Sequence, residues 1–342
     1  IAEPVMIAFD GNGRMYVAEM RTYMLDIDAT GEQEPVSRVS RHEDTNGDGI
    51  FDRHTVVADK LLLPRIMLPL DDRIIIGETN TDDLYIYRDS DGDGVADEKT
   101  LWFGGGPRGG NMEHQPSGLV WAMDNGIYST YYDYRLRFGP DGKAIKEEIP
   151  VNGGQWGLTQ DDWGKVWFVN AGNETGPVHF QQHIIYGQFA APNEHIGQYK
   201  VVWPISNIPD TQGGPGQVRP DNTLNHFTAT CGQDVFRGDR LPAELRGNLF
   251  FAEPVGRLVR RTLISVEDGV TRLANAYEDQ KSEFIRATDP LFRPVNMTTA
   301  PDGTLYVVEM YRGVIQQANW TGEGTYLREQ IKARNLQYEI GR

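Results

Sequence analysis

The sequence has almost no cysteine and no long apolar stretch. Its 342 residues include a single cysteine, Cys231, so a disulfide within the chain is excluded. No apolar run approaches the roughly 20 residues that a membrane-spanning helix needs. We therefore predict no membrane span, and the chain is long enough to be stabilised by its own core.

Basic residues are also in short supply. Lysine and arginine total 33 against 49 aspartates and glutamates, and the formal net charge is −16 at pH 7. The phosphates of nucleic acids and the headgroups of anionic membranes would repel such a chain. Neither is therefore predicted as a partner.

Helical periodicity is scarce, and a hairpin pattern recurs in its place. Six times an apolar run leads to a turn and then to a second apolar run. The turns are rich in Asp and Gly and lie at residues 10–13, 71–72, 124–126, 161–164 and 302–303, and a degenerate copy has its second strand at 248–253. Hairpins repeated at about the interval of one blade are typical of a β-propeller.

We predict an all-β fold, a six-bladed β-propeller with calcium-binding loops and one long insertion. The hairpins extend from the first to the last tenth of the sequence, which favours a single domain over residues 1–342. Residues 176–230 break the pattern and are rich in Pro, Gly and Asn, so we predict an insertion that lies over one face. One short helix is predicted within residues 320–335.

Two Asp-rich loops have the ligand spacing of a calcium site. Side-chain oxygens recur at positions 1, 3, 5 and 9, and position 7 offers a backbone carbonyl, as at the start of an EF-hand loop. The predicted ligands are Asp44, Asn46, Asp48, Ile50 and Asp52 in the first loop and Asp89, Asp91, Asp93, Val95 and Asp97 in the second. The alternative is a pair of acidic surface turns.

Position 12 of these loops differs from an EF-hand. It is Thr55 in the first loop and Thr100 in the second, where an EF-hand has a bidentate Glu. Loops without that ligand are expected to bind calcium weakly, so they favour a compartment with millimolar calcium. We therefore predict a periplasmic or extracellular location.

In a propeller, the residues that precede the inner strands converge on one central channel. These residues are Glu3, Arg65, His114, Gln155 (with Trp156 beside it), Cys231 and Arg293. A histidine between two arginines is expected to have a lowered pKa and to accept a proton. The arginines suit an anionic ligand, and the tryptophan suits stacking against a sugar or a flat cofactor.

Each of these residues also has a structural interpretation. His114 could only hydrogen-bond a neighbouring blade, and the two arginines could tie blades together through Glu3, Glu19 or Glu309. Cys231 could be a small buried residue and not a reactive thiol.

The segment that begins at His114 resembles a known group of enzymes. Residues 114–121, His-Gln-Pro-Ser-Gly-Leu-Val-Trp, followed by Asp124, are similar to the His-containing inner strand of soluble quinoprotein sugar dehydrogenases. The resemblance implies a six-bladed propeller that uses pyrroloquinoline quinone (PQQ) and calcium. It also implies that His114 takes a proton while hydride passes from the sugar to the quinone.

Other segments extend the resemblance. Residues 241–251 resemble a later blade of the same enzymes, and the two Asp-rich loops are similar to a bacterial branch of membrane-bound or sorbosone-type dehydrogenases. That branch is often fused to a c-type cytochrome, but no Cys-x-x-Cys-His haem motif occurs here. Where the PQQ-binding members have a lysine, residues 253–256 are Glu-Pro-Val-Gly.

The leading hypothesis is a periplasmic quinoprotein dehydrogenase that oxidises a sugar or related alcohol and passes electrons to a c-type cytochrome. In this hypothesis His114 is the catalytic base, and Arg65 and Arg293 hold the carboxylates of PQQ. Gln155 and Trp156 contact the cofactor or the substrate.

Two alternatives belong to other classes of protein. One is a polysaccharide lyase or hydrolase, with His114 as base, Tyr131 or Tyr132 as acid, and the arginines neutralising a uronate. The other is a non-enzymatic module that binds a glycan or a partner protein at the channel mouth. A missing basic cluster around the channel would favour this last alternative.

Overall fold

The secondary structure is almost entirely β. The computed structural model describes residues 1–149, 154–169, 202–268 and 270–336. Within these ranges, six antiparallel sheets follow one another along the chain; four have four or more strands and two have two strands. The predicted all-β, propeller-like fold is confirmed.

The first three sheets have four strands each. The first consists of β1 (Pro4–Phe9), β2 (Met15–Glu19), β3 (Ser37–Glu43) and β4 (Arg53–Leu61). The second consists of β5 (Ile66–Pro69), β6 (Arg73–Gly77), β7 (Leu84–Arg88) and β8 (Glu98–Phe103). The third consists of β9 (Val120–Trp121), β10 (Ile127–Tyr128), β11 (Tyr134–Phe138) and β12 (Ala144–Glu148).

The later sheets differ in size. The fourth consists of β13 (Thr159–Gln160) and β14 (Val166–Trp167). The fifth consists of β15 (Gln233–Val235), β16 (Leu249–Glu253), β17 (Leu258–Glu267) and β18 (Val270–Asn275), with β19 (Ile285–Arg286) also paired to β17. The sixth consists of β20 (Pro294–Thr299) and β21 (Leu305–Glu309).

Each predicted hairpin forms the first two strands of one sheet. In the turn between β1 and β2, Oδ1 of Asp10 accepts the N–H groups of Asn12 and Arg14. Gly13 and Gly303 have φ values of 82° and 86°, a left-handed conformation that glycine adopts without strain. The Asp and Gly residues recur because they close these turns.

The first strands of consecutive sheets lie next to one another. The N–H of Gly118, before β9, donates to the carbonyl of Arg65, before β5, at 3.0 Å. The N–H of Gly232, before β15, donates to the carbonyl of Val295 on β20 at 2.9 Å. A Cβ added at Gly118 would come within 2.8 Å of the Cα of Gly157, so backbone touches backbone there.

The sixth sheet packs against the first, with β20 and β21 both in contact with β1. Arg312, after β21, forms a salt bridge of 3.2 Å with Glu3, before β1, and donates to the carbonyl of Tyr23. The rings of Phe9 and Tyr306 meet edge to face at 5.6 Å. The two ends of the β structure are therefore joined.

One buried carboxylate, that of Asp210, connects the described part of the predicted insertion, residues 202–230, to the rest of the protein. Asp210 is 1% exposed, and it accepts hydrogen bonds from Arg257, Arg293 and Arg334. Burial would raise the pKa of Asp210, but the three guanidinium groups outweigh burial and lower it. Residues 176–201 lie outside the described residues, and the single-domain arrangement stays a prediction.

A short helix follows the last sheet, as predicted. Helix α1 (Tyr326–Ala333) begins after Thr325, whose side chain accepts the N–H of Arg328 as an N-cap. In the described part of the chain, no helix is both long enough and apolar enough to cross a membrane.

Candidate functional site

A cavity of about 420 Å³ lies where the inner ends of the sheets meet. Its wall includes residues of β1 and β20 and residues that precede β9, β13 and β15. Aromatic and amide side chains recur in this wall: Tyr23, Trp156, Trp320, Gln155, Gln212, Gln217 and Gln316. Among the described lining residues there is no arginine or lysine, and Glu113 supplies the one carboxylate.

His114 lies on this wall, as predicted. A short 3-10 turn, Met112–His114, presents it, and the side chain of Asn111 caps the turn by accepting the N–H of Glu113 at 2.8 Å. The imidazole is solvent-accessible and stands 6.5 Å from the ring of Tyr131, centroid to centroid. Because the protein still covers part of the ring, desolvation, and then the charge of Arg65, lower the pKa of His114, so the neutral form predominates at pH 7.

The neighbouring Glu113 points into the protein and organises the aromatic wall. Its Oε1 accepts the N–H of Gln317 at 2.6 Å and the hydroxyl of Tyr23 at 3.3 Å, and its Oε2 accepts the indole N–H of Trp320 at 3.0 Å. Burial raises the pKa of Glu113 although these donors oppose the shift. No sequence pattern identified this residue.

Trp156 and Gln155 also line the cavity, as predicted. Trp156 has φ = 60°, an uncommon conformation for a bulky residue, and Asn296 donates to its carbonyl at 3.3 Å. Its ring meets Tyr23 edge to face at 6.3 Å. The amide of Gln155 donates to the hydroxyl of Tyr131 at 2.8 Å.

Arg65 is not part of the wall, which corrects the prediction for this residue. It is 1% exposed, and its guanidinium donates to the carbonyls of Met112 and Gln115. The guanidinium carbon lies 4.3 Å from the centroid of the Trp156 ring, on which it stacks. Arg65 therefore supports His114 and Trp156 from behind.

Arg293 is likewise occupied by the protein, contrary to the prediction. It is fully buried, and its N–H groups donate to the carbonyls of Arg312, Pro254 and Gly313 and to the carboxylate of Asp210. Sequence position placed both arginines before an inner strand, but it could not show which way their side chains turn. Arg293 joins the fifth and sixth sheets to the insertion.

The described residues that line the cavity do not fit PQQ as the resemblance implies it. A tricarboxylate needs several cationic partners. Arg65 and Arg293 are held by protein acceptors, and Arg108, a further candidate, pairs with Asp82 at 3.0 Å. No described lining residue carries a permanent positive charge.

Cys231 lines the cavity as a buried thiol. It is 6% exposed, and its sulfur lies 3.2 Å from the carbonyl oxygen of Ala229. Burial raises the pKa of Cys231 well above its ordinary value, so the reactive thiolate is not favoured. This environment fits the interpretation of Cys231 as a small buried residue.

The second Asp-rich loop gathers three carboxylates. One oxygen from each of Asp89, Asp91 and Asp93 lies within 4.8 Å of the other two. Asp89 also accepts the N–H groups of Gly92 and Gly94, both at 2.8 Å. These two hydrogen bonds fold the backbone of the loop around the Asp89 carboxylate. Oxygen ligands at this spacing fit a hard divalent cation.

The first loop has the same turn. Asp44 accepts the N–H groups of Gly47 and Gly49, each at 2.7 Å, and Asn46 accepts the N–H of Asp48 at 2.9 Å. The two loops therefore share one backbone design at positions 1 to 6.

The position-9 carboxylates also form hydrogen bonds within their own loops. Asp52 accepts the N–H of Thr45 at 3.0 Å, and Asp97 accepts the N–H of Ser90 at 3.0 Å. Asp97 is outside the group formed by the other three carboxylates of its loop. These hydrogen bonds hold the two ends of each loop together, and the position-7 and position-9 ligands stay predictions.

Comparisons with known proteins agree with this fold. The model of a family described as a domain of unknown function, DUF7133, matches residues 1–342. No curated protein matches the sequence.

Solved structures with a similar fold include sugar dehydrogenases. The soluble aldose sugar dehydrogenase of Escherichia coli, in its apo form, has a TM-score of 0.52 at 14% identity over 90% of this chain and 93% of its own. A glucose dehydrogenase has a TM-score of 0.55 at 14% identity over 90% and 93%. The oxidoreductase (glucose dehydrogenase) of Thermus thermophilus has a TM-score of 0.50 at 17% identity over 95% and 93%. At these identities the likeness shows the fold alone.

Proposed function

Since this chain belongs to the DUF7133 family and shares its fold with sugar dehydrogenases, we propose that it oxidises a sugar or related alcohol in the central cavity. The observation that carries the proposal is the neutral, accessible imidazole of His114 on the cavity wall. Oxidation of an alcohol removes a hydride from carbon and a proton from the hydroxyl group. His114 accepts that proton.

The surroundings of His114 suit a base. Arg65 lies behind the wall and disfavours the protonated imidazole, so the proton-accepting form is present at neutral pH. No described residue hydrogen-bonds to the ring, and His114 is exposed. The accepted proton can leave to water because the ring is accessible.

The electrons require an organic two-electron acceptor, and the sequence resemblance implies PQQ. The described wall supplies no cation for the carboxylates of that cofactor. A c-type cytochrome as the next electron acceptor is proposed from the resemblance alone.

We further propose that the six sheets are the six blades of one closed propeller over residues 1–342. Support comes from six equivalent first hairpins, from inner strands that approach through their backbones, and from contacts between the first and sixth sheets. Residues 176–230 are proposed to cover the cavity face, since Gln212 and Gln217 of this segment already line the cavity.

Calcium is proposed as the ligand of the two Asp-rich loops. The support is the triad of Asp89, Asp91 and Asp93 and the matching turn at Asp44. Because neither loop has a bidentate Glu at position 12, weak binding and hence a periplasmic or extracellular location are proposed.

A second candidate is a non-enzymatic module that binds a glycan. The observation in its favour is the lack of a basic cluster among the described lining residues. The same observation weighs against a lyase for uronates, because a uronate carboxylate needs a cationic partner.

The proposal is tested by reduction of a redox dye. The full chain, with calcium and with or without PQQ, is assayed against a panel of neutral aldoses and polyols. We expect turnover that His114→Asn lowers by at least about 100-fold, since general bases contribute on the order of 10²–10⁴ in rate. The exposed His54→Asn is the matched control.

Two results would overturn the oxidation proposal. One is equal turnover by His114→Asn and the unsubstituted chain. The other is sugar binding without turnover under every condition, which would establish the glycan-binding module.

A further inference from the structure

We infer that the cavity selects an uncharged, polyhydroxylated ligand, and that Gln217 and Gln316 recognise its hydroxyl groups. The inference rests on the proposed function in placing the ligand in this cavity. It concerns binding only, so it holds whether or not the ligand is then oxidised.

The charges of the described wall disfavour an anionic ligand. The described wall contains one carboxyl group, that of Glu113, and one imidazole, that of His114, which is neutral. The cations behind the wall, Arg65 and Arg293, already donate to protein oxygens. A carboxylate in the cavity would lose its water and lie near Glu113 without a counter-ion, which is unfavourable.

Two glutamines have unmet hydrogen-bonding groups. Gln217 is 8% exposed and Gln316 is 2% exposed, and both line the cavity. Among the described residues, Oε1 of Gln217 and Nε2 of Gln316 have no hydrogen-bond partner. An unsatisfied buried polar group costs about 1–3 kcal/mol, so such groups point to a missing partner.

One unpaired group is an acceptor and the other is a donor. A hydroxyl group can donate to the first and accept from the second, whereas a carboxylate can only accept. The terminal torsion of glutamine is broad, so either amide atom can turn toward a ligand. A ligand with several hydroxyl groups therefore matches this pair better than an acid does.

The two glutamines come from distant parts of the chain. Gln217 ends the 3-10 turn Gly214–Gln217 of the insertion, and Gln316 follows β21. The same cavity is also lined by Trp156 and Trp320, against whose rings the C–H groups of a sugar can pack. The wall thus offers amide groups that can hydrogen-bond to the hydroxyl groups of a sugar and aromatic rings that can pack against its C–H groups.

Binding to the full chain is measured by titration calorimetry with matched ligand pairs. The pairs are glucose and glucuronate, galactose and galacturonate, and sorbitol and gluconate, and PQQ is titrated separately. We expect each neutral member to bind at least about tenfold more tightly than its acid, a difference of about 1.4 kcal/mol.

The glutamines are tested with Gln217→Met and Gln316→Met, which keep side-chain length and remove the amide. We expect each to weaken binding of the neutral ligands by roughly fivefold, as the loss of one hydrogen bond of about 1 kcal/mol implies. The exposed Gln280→Met is the matched control. Thermal melts check folding, and the two cavity variants are expected to melt no lower than the control.

Several results would overturn the inference. They are acids or PQQ that bind as tightly as the neutral ligands, no binding by any neutral member, and unchanged affinity in both cavity variants. The last result would mean that ordered water satisfies the two amides. Failure of the oxidation proposal is seen separately, as neutral-ligand binding without dye reduction.

Discussion

His114 and Glu113 are neighbours in sequence with opposite surroundings. The imidazole faces the cavity and is accessible, while the carboxylate points inward and receives three hydrogen bonds. Two of those bonds fix Tyr23 and Trp320, so the residue beside the base also sets the shape of the wall. Two adjacent residues therefore have different roles: His114 presents its imidazole to the cavity, and Glu113 positions the aromatic side chains of the wall.

The pH dependence of turnover reports on His114. Because burial and Arg65 lower the pKa of this imidazole, it keeps its proton-accepting form below pH 6.5, the ordinary value for histidine. We expect kcat/KM to fall on the acidic side only below pH 6.5. The measurement is a pH–rate profile for a neutral sugar.

Arg65→Gln provides the second arm of this test. Removal of the charge behind the wall is expected to move the acidic limb toward higher pH, since one of the two effects that lower the pKa of His114 is lost. A thermal melt confirms that the variant is folded. A limb at or above pH 6.5 in the unsubstituted chain would contradict the prediction.

The sequence revealed some of these residues and not others. His114, Gln155 and Trp156 were found because residues before inner strands line the channel of a propeller. Gln217 and Gln316 were missed because neither precedes an inner strand, and only the folded chain brings them to the cavity.

At the scale of elements, turn chemistry is what the sequence encodes most clearly. Each first hairpin was predictable because an apolar run, an Asp or Gly turn and a second apolar run are local features. The outer strands and the fold of residues 202–230 were not predictable, because their positions depend on distant partners such as Asp210.

Calcium is expected to stabilise the protein through the two Asp-rich loops. Bound calcium removes repulsion between clustered carboxylates, and calcium at ten times its Kd adds about 1.4 kcal/mol per site to the free energy of unfolding. Arg41 already lies 3.6 Å from the carboxylate of Asp89, so the gain in the second loop is the smaller. Thermal melts with millimolar calcium or with a chelator measure the effect.

The loop variants separate specific binding from a general salt effect. Asp44→Asn combined with Asp91→Asn is expected to remove most of the calcium-dependent shift in Tm. Asp141→Asn, in an exposed turn of the third sheet, is the control and is expected to keep the shift. An equal response by both variants, or no response in the unsubstituted chain, would count against calcium.

The whole molecule is held together by contacts between its ends. The salt bridge of Arg312 with Glu3 is almost completely shielded from water, and the same guanidinium donates to the carbonyl of Tyr23. The contact between the sixth and first sheets therefore depends on a small number of buried polar groups as well as on apolar packing.

Arg312→Met is expected to destabilise the fold. The substitution leaves the Glu3 carboxylate buried without this cation, and breaking a buried pair costs about 3–5 kcal/mol. Urea unfolding measures the change, with Arg272→Met on the outer strand β18 as an exposed control. A loss no larger than that of the control would show that this ion pair does not secure the closure.

The contact between β1 and β20 also bears on how the protein is made. Strand β20, which contacts β1, lies some three hundred residues downstream, so a ribosome must add those residues before this contact can form. At translation rates of roughly 5–20 residues per second, the surface of β1 that contacts β20 stays exposed to solvent for on the order of fifteen seconds to a minute. Chaperone demand during synthesis should therefore concentrate on the emerging amino-terminal sheet.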